Sequence, residues 1–230
     1  IITDSQRVVD PIKWRKSAVM SQQYRLVNGE ELYDIKTDPG QEKNISKENP
    51  NQVAKMRAFY DQWWTDLEPS FAQTTEIQLG HPDHPKVTMT AHDWLNTGPP
   101  WHQGMIRGAK GGEKPKFSGH WAIKVLEEGN YKISLLRWPE EAKHPINATL
   151  PPGSNVPGAS KAFRTTRGVS IKATAAALLL NGQEIARKPV GKKDIAISFT
   201  TKLIKGSHAI APIFRSPKGE TGAFYCIIEK

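Results

Sequence analysis

The chain reads as α+β: a small antiparallel sheet with one packed helix, followed by an antiparallel β-sandwich of jelly-roll type. Three observations carry that expectation. An Asn-Gly turn sits between two short strand patterns near the start, and a single helical segment with its own start signal follows. From about Glu76 onward, short alternating strands punctuated by Gly, Pro and Asn recur with hardly a helix among them.

In YRLVNGEELYDI, Asn28 and Gly29 tolerate the positive φ angles that a two-residue hairpin turn requires, so YRLV and ELYDI pair as antiparallel strands. SAVMS just upstream supplies a third strand. Asp38-Pro39-Gly40 makes a turn, with Pro fixing φ at its first central position. Asn49-Pro50-Asn51-Gln52 reads as a helix start: Asn as the N-cap, Pro at the first helical position, Gln three residues after the cap. Val53, Met56, Tyr60, Trp63 and Leu67 then recur at intervals of three and four, one stripe of a helix that packs on the sheet. Phe59 and Trp64 flank the stripe, and Pro69 ends the helix.

The run KWRKSAVMSQQYRLVNGEELYDIKTDPGQEKNISKENPNQVAKMRAFYDQWW resembles the C-terminal subdomain of sulfatases of the arylsulfatase type, in the alkaline-phosphatase superfamily. The likeness covers residues 4 to 68: the YRLVNG strand, the ELYDI strand, the DPGQEKNI turn and the helix after ENP. It implies a parent enzyme that hydrolyses sulfate esters of carbohydrates or aryl groups, located in the periplasm or outside the cell. In such enzymes a formylglycine made within a Cys/Ser-x-Pro/Ala-x-Arg motif attacks sulfur while calcium neutralises the sulfate oxygens. Formylglycine and calcium would both belong to a larger N-terminal domain preceding Ile1, the partner of this region. Cys226 is followed by IIEK and lacks the Pro/Ala and Arg of the motif, so no catalytic residue, metal ligand or cofactor is expected in this chain, which by itself should be inactive. The expected division is residues 1–70 as the sulfatase αβ subdomain and 76–230 as a β-sandwich accessory domain.

In the second region the expected strands are KVTMTA, HWAIKVL, NYKISLLRW, VSIKA, AALLLN, QEIARK, DIAISFT, HAIAPIF and AFYCIIEK, with EEGN and LNGQ marking hairpins between neighbours. Alternation places Trp121, Ile123 and Val125 on one face of their strand and Tyr131, Ile133 and Leu135 on one face of the next, all as core. The stretch GHWAIKVLEEGNYKISLLRWPEE resembles the jelly-roll-like domain that some bacterial sulfatases carry after the helix.

Composition excludes several classes. The chain has 230 residues, 37% hydrophobic and 24% charged, enough apolar content for a sizeable core. Its longest apolar run, Ala175 to Leu180, is too short to cross a bilayer, and its first residues are unlike a signal peptide. The absence of an initial Met suggests a piece of a longer protein. Cys226 alone excludes an internal disulfide framework and reads as a buried thiol in a strand. The net charge is +9, from 32 Lys and Arg against 23 Asp and Glu. These cations are scattered through GAKGGEKPK, RKPVGKKD and RSPKGE; scatter favours plain solubility or an acidic polysaccharide over nucleic acid, which is not expected as a partner.

The candidate substrate-binding residues are Trp94, Trp101, His102 and Arg107, in AHDWLNTGPPWHQGMIRG. Aromatic faces stack on sugar rings, and arginine forks grip sulfate or carboxylate. The structural alternative is that Trp94 and Trp101 cover the end of the sandwich or the join to the first unit. Leu136 and Trp138 fall out of phase with the core face of their strand and join the candidates. His92 and His102 lack a metal-ligand spacing. Two functions from different classes follow: a non-catalytic C-terminal part of a sulfatase, or a carbohydrate-binding module for acidic or sulfated glycan.

Overall fold

The computed structural model describes residues 1–6, 10–95, 100, 102–109, 118–154, 157–158 and 165–230. The chain divides into two compact units, Ile1–Thr74 and Thr75–Lys230. Among the described residues no helix is long and apolar enough to cross a membrane.

The first unit is a four-stranded antiparallel sheet in the order β1 (Ile2–Asp4), β2 (Ser17–Met20), β3 (Tyr24–Val27), β4 (Glu31–Asp34), with helix α1 (Pro50–Leu67) packed on it. Asn28 and Gly29 occupy φ of 50° and 74°, the left-handed pair that the dipeptide predicts for the β3–β4 turn. A Cβ on Gly29 would lie 2.8 Å from the Trp14 ring, so this glycine also makes room for packing. Trp14 in turn stacks on Tyr60 at 3.8 Å between centroids. The Tyr60 hydroxyl donates to Asp4 at 2.8 Å and accepts the Trp14 amide, and burial pushes its phenol up to about 12.

Two expectations for this unit are corrected. The buried stripe of α1 is Met56, Tyr60 and Trp64, while Trp63 is half-buried and Leu67 is exposed. By angle Leu67 shares the face of Tyr60, but it is the last residue of α1, whereas Trp64, a turn earlier, is held between Tyr60 and Phe71. Asn49 precedes the helix but does not cap it through its side chain, which donates to the Ile45 carbonyl at 3.2 Å. β1 carries too few residues to have shown an alternation in the sequence.

The second unit is a β-sandwich. One sheet runs β10 (Gln183–Pro189), β9 (Ala175–Leu180), β12 (Gly206–Ser216), β7 (Trp121–Val125), β5 (Ile77–Leu79), with β13 (Gly219–Gly222) also on β12. The other runs β11 (Ala196–Leu203), β8 (Gly129–Leu136), β14 (Tyr225–Glu229), β6 (Lys86–Thr90). All pairs are antiparallel except β5 with β7. Trp121, Ile123 and Val125 from one sheet meet Tyr131, Ile133 and Leu135 from the other in one buried cluster, as the alternation predicts. Cys226 is fully buried there, and desolvation pushes its thiol up.

The turn at Asn181-Gly182 makes the expected β9–β10 hairpin, with φ of 51° and 79°. EEGN does not make one: β7 and β8 lie in different sheets, so this link crosses the core from one layer to the other. VSIKA is not a strand either. Its residues form an extended strap pinned by non-strand groups, and Lys172 turns left-handed at φ 54°. The expectations also omitted β5, β13 and a six-residue helix α2 (Gln103–Gly108).

Candidate functional site

The strap between residues 165 and 174 forms one wall of a cavity of about 640 Å³, lined by Thr149, Arg167–Lys172 and Ser216–Lys218. Each piece is held in place by named contacts. Leu150 and Gly168 exchange both backbone hydrogen bonds, at 2.8 and 2.9 Å. A Cβ on Gly168 would lie 2.8 Å from Leu150 Cβ and 3.0 Å from its nitrogen, so only glycine allows this approach. Further along, Asn147 locks Ala173 at two points, accepting its N–H at 2.7 Å and donating to its carbonyl at 2.8 Å. On the opposite wall, the β12–β13 turn is tied by Ser216, whose hydroxyl donates to the Gly219 carbonyl at 3.1 Å and accepts the Lys218 amide at 3.2 Å.

The electrostatics of this cleft are one-sided. Arg167, Lys172 and Lys218 line it, and among the described residues no Asp or Glu does. Among the described residues none of the three forms an ion pair. The contrast with the adjacent Arg215 is direct: it pairs with Glu184 at 2.5 Å and Glu220 at 2.7 Å, and Glu184 also accepts a two-point contact from Arg187. Those hydrogen bonds, from Arg187 first and then Arg215, hold the Glu184 carboxyl down at about 2. Carboxylates therefore neutralise the arginine beside the cleft and leave the cleft's own cations exposed. Hydroxyls of Thr149 and Ser170 and the aliphatic surfaces of Val169, Ile171 and Pro217 complete the lining.

Of the sequence-predicted site residues, Trp94, His102 and Arg107 do not line this cleft. Trp94 is 4% exposed and packs against Trp121 and Phe224, each at 5.7 Å between centroids, so it belongs to the core and has no face to offer a sugar. Its indole N–H is buried with no hydrogen-bond partner among the described residues. Trp101 lies outside the described residues. His102 is half-buried at the start of α2 and lines a cavity of about 230 Å³ with His92, Gln103 and Tyr225. Arg107 lines a neighbouring one of the same size with Gln103, Trp138, His144 and Tyr225. The arginine fork does not face a ligand: its Nε donates to the Thr166 carbonyl and a terminal nitrogen donates to the Pro151 carbonyl. Leu136 and Trp138 are buried as well. Residues after the strand fold back over Trp138, which is 5% exposed and donates its N–H to the Pro145 carbonyl at 3.0 Å.

Between these features sits Arg137, with no exposed surface. Its guanidinium lies 4.3 Å from the centre of the Trp138 ring and donates long hydrogen bonds to the carbonyls of Ile106, Arg107, Ala109 and Ile146, at 3.3 to 3.5 Å. Burial pushes its pKa down to about 9, still above neutrality, so the buried group carries its charge. The carbonyl cage supplies the compensation, and three of its four oxygens come from α2 and the residue after it. The signal missed in the sequence was the basic, hydroxyl-bearing run around Arg167–Lys172, which VSIKA disguised as an ordinary strand.

Cys226 lies in a central strand, paired on both sides and closed to solvent, where no modifying enzyme or substrate reaches it.

No known family profile matches the chain. No curated protein matches it. Solved structures overlap it loosely. A ruminal GH26 endo-β-1,4-mannanase is 16% identical over 66% of this chain and 27% of that one, with a TM-score of 0.35. A family 35 carbohydrate-binding module from Clostridium thermocellum is 12% identical over 62% of this chain and 96% of that one, and one from an environmental isolate is 10% identical over 49% and 65%; both have TM-scores of 0.29. The chain thus spans about a quarter of the mannanase's length, and at such TM-scores the overlaps carry no argument about function.

Proposed function

We propose that the β-sandwich unit holds acidic or sulfated glycan, and that the chain is the non-catalytic C-terminal part of a sulfatase-type enzyme. The observation that carries the glycan reading is the cleft of about 640 Å³ with Arg167, Lys172 and Lys218 on its walls and no carboxylate among its described lining residues. Unpaired cations in a concave site favour anions, and hydroxyls beside them suit the polar edges of sugars. Among the described residues no aromatic ring lines the cleft, so binding there rests on charge and hydrogen bonds rather than stacking. The sulfatase reading is supported by the succession of hairpin, turn and single helix in the first unit, the order of elements in the resembling region.

The test is a titration of a sulfated oligosaccharide across a range of salt. Replacing Arg167, Lys172 and Lys218 together by Gln is expected to weaken binding about tenfold or more at low salt and to flatten its salt dependence. Unchanged affinity in the triple variant would overturn the reading. The chain itself is expected to hydrolyse no aryl sulfate with calcium added; turnover that survives repurification would show that catalysis does not lie in another part of the enzyme.

A further inference from the structure

Arg107 sits behind the cleft and is not among the residues that line it. Three of its bonds nevertheless converge on the cleft's wall. Its side chain donates to the carbonyls of Thr166 and Pro151, and its own carbonyl accepts the Val169 N–H at 2.9 Å. These contacts straddle the Leu150–Gly168 pair, the point where the two chain segments of the wall meet. Behind Arg107, the buried Arg137 binds the carbonyls of Ile106, Arg107 and Ala109, fixing α2 and its exit to β8. One arginine anchors the helix to the sheet; the other reaches from the helix to the wall.

We propose that Arg107 is the positioning residue of the basic cleft, anchored through Arg137, and that it sets the placement of Thr149 and Arg167 without touching the ligand. The ligand in this proposal rests on the glycan reading above; the geometry does not. A lysine at 107 keeps the charge but cannot bridge two carbonyls as a planar fork does. Charge and position are therefore separable at this residue.

The experiment compares the full chain with Arg107→Lys and Arg107→Gln in two measurements. The first is titration of a dextran sulfate oligosaccharide over a range of salt; the second is amide exchange at Leu150, Gly168 and Val169. Both variants are expected to bind about tenfold more weakly, the equivalent of about 1.4 kcal/mol, with salt plots parallel to wild type. Both are also expected to exchange those three amides faster, while protection at Ile133 and Cys226 in the core is kept. Wild-type affinity in Arg107→Lys would show that charge alone matters and would overturn the proposal. So would unchanged exchange at the three amides. If the wild-type chain takes up no dextran sulfate yet the amides respond, the glycan reading falls and the positioning of the wall stands. Should core protection also collapse in the Arg107 variants, Gly168→Ala probes the same wall: its added methyl group displaces Leu150, and parallel loss of affinity is expected where wild-type affinity would count against the proposal.

Discussion

The buried cage around Arg137 and the open cleft around Arg167, Lys172 and Lys218 use positive charge in opposite ways. Arg137 is sealed from water, and four backbone carbonyls and a tryptophan face compensate its charge; no ligand reaches it. The cleft cations keep their hydration and are left without acidic partners among the described residues. A buried, compensated cation organises the chain around itself, because every neighbouring dipole must turn toward it. An exposed, uncompensated one contributes little to folding and remains free to meet an anion. The contrast teaches that the charge at the cleft, rather than the aromatic segment beside it, is the feature open to a ligand.

The largest expected effect breaks the cage. Arg137→Met leaves several buried carbonyls without a donor and is expected to lower the stability of the sandwich by about 3 kcal/mol, read as a lower urea midpoint. A variant as stable as wild type would mean that the long hydrogen bonds of the cage contribute nothing net.

The next comparison is between two turns of identical sequence. Gly29→Ala meets both left-handed strain and the Trp14 ring, whereas Gly182→Ala meets strain alone, since nothing lies within 4 Å of its would-be Cβ. The first is expected to cost about 2 kcal/mol and the second about 1 kcal/mol, measured separately by thermal melting of each variant. Equal costs would show that Trp14 moves aside freely.

At the cleft, the triple Gln variant is expected to leave stability within about 0.5 kcal/mol of wild type. A large loss there would make these cations structural and erase the contrast with Arg137. The smallest effect concerns the paired arginines. Because the Glu184 carboxyl is held below its ordinary value, its contribution is present above about pH 4.5 and fades as pH falls toward 2. Glu184→Gln is expected to remove a small part of the acid dependence of unfolding in that window and none near neutrality. Its place at the solvent-screened surface keeps the effect slight.

Much of the architecture was legible locally. Asn-Gly dipeptides set both turns because only residues tolerant of positive φ close a two-residue hairpin, and alternation assigned the inward faces of β7 and β8 because side chains on a strand alternate strictly. Which strands become neighbours was decided by the tertiary structure. EEGN has the composition of a hairpin, yet β7 and β8 face each other across the core; turn residues fix local bending, whereas layer choice depends on how the whole set of apolar faces is buried. The strap at Gly168–Ala173 carries strand-like residues, but Arg107 of α2 and the loop residues Leu150 and Asn147, all distant in sequence, supply its partners, and no local pattern encodes them. Trp94, Trp138 and Arg107 had the right chemistry for a sugar site. Their burial and the carbonyls that take up the arginine's donors follow from packing, which brings together segments that the sequence holds dozens of residues apart.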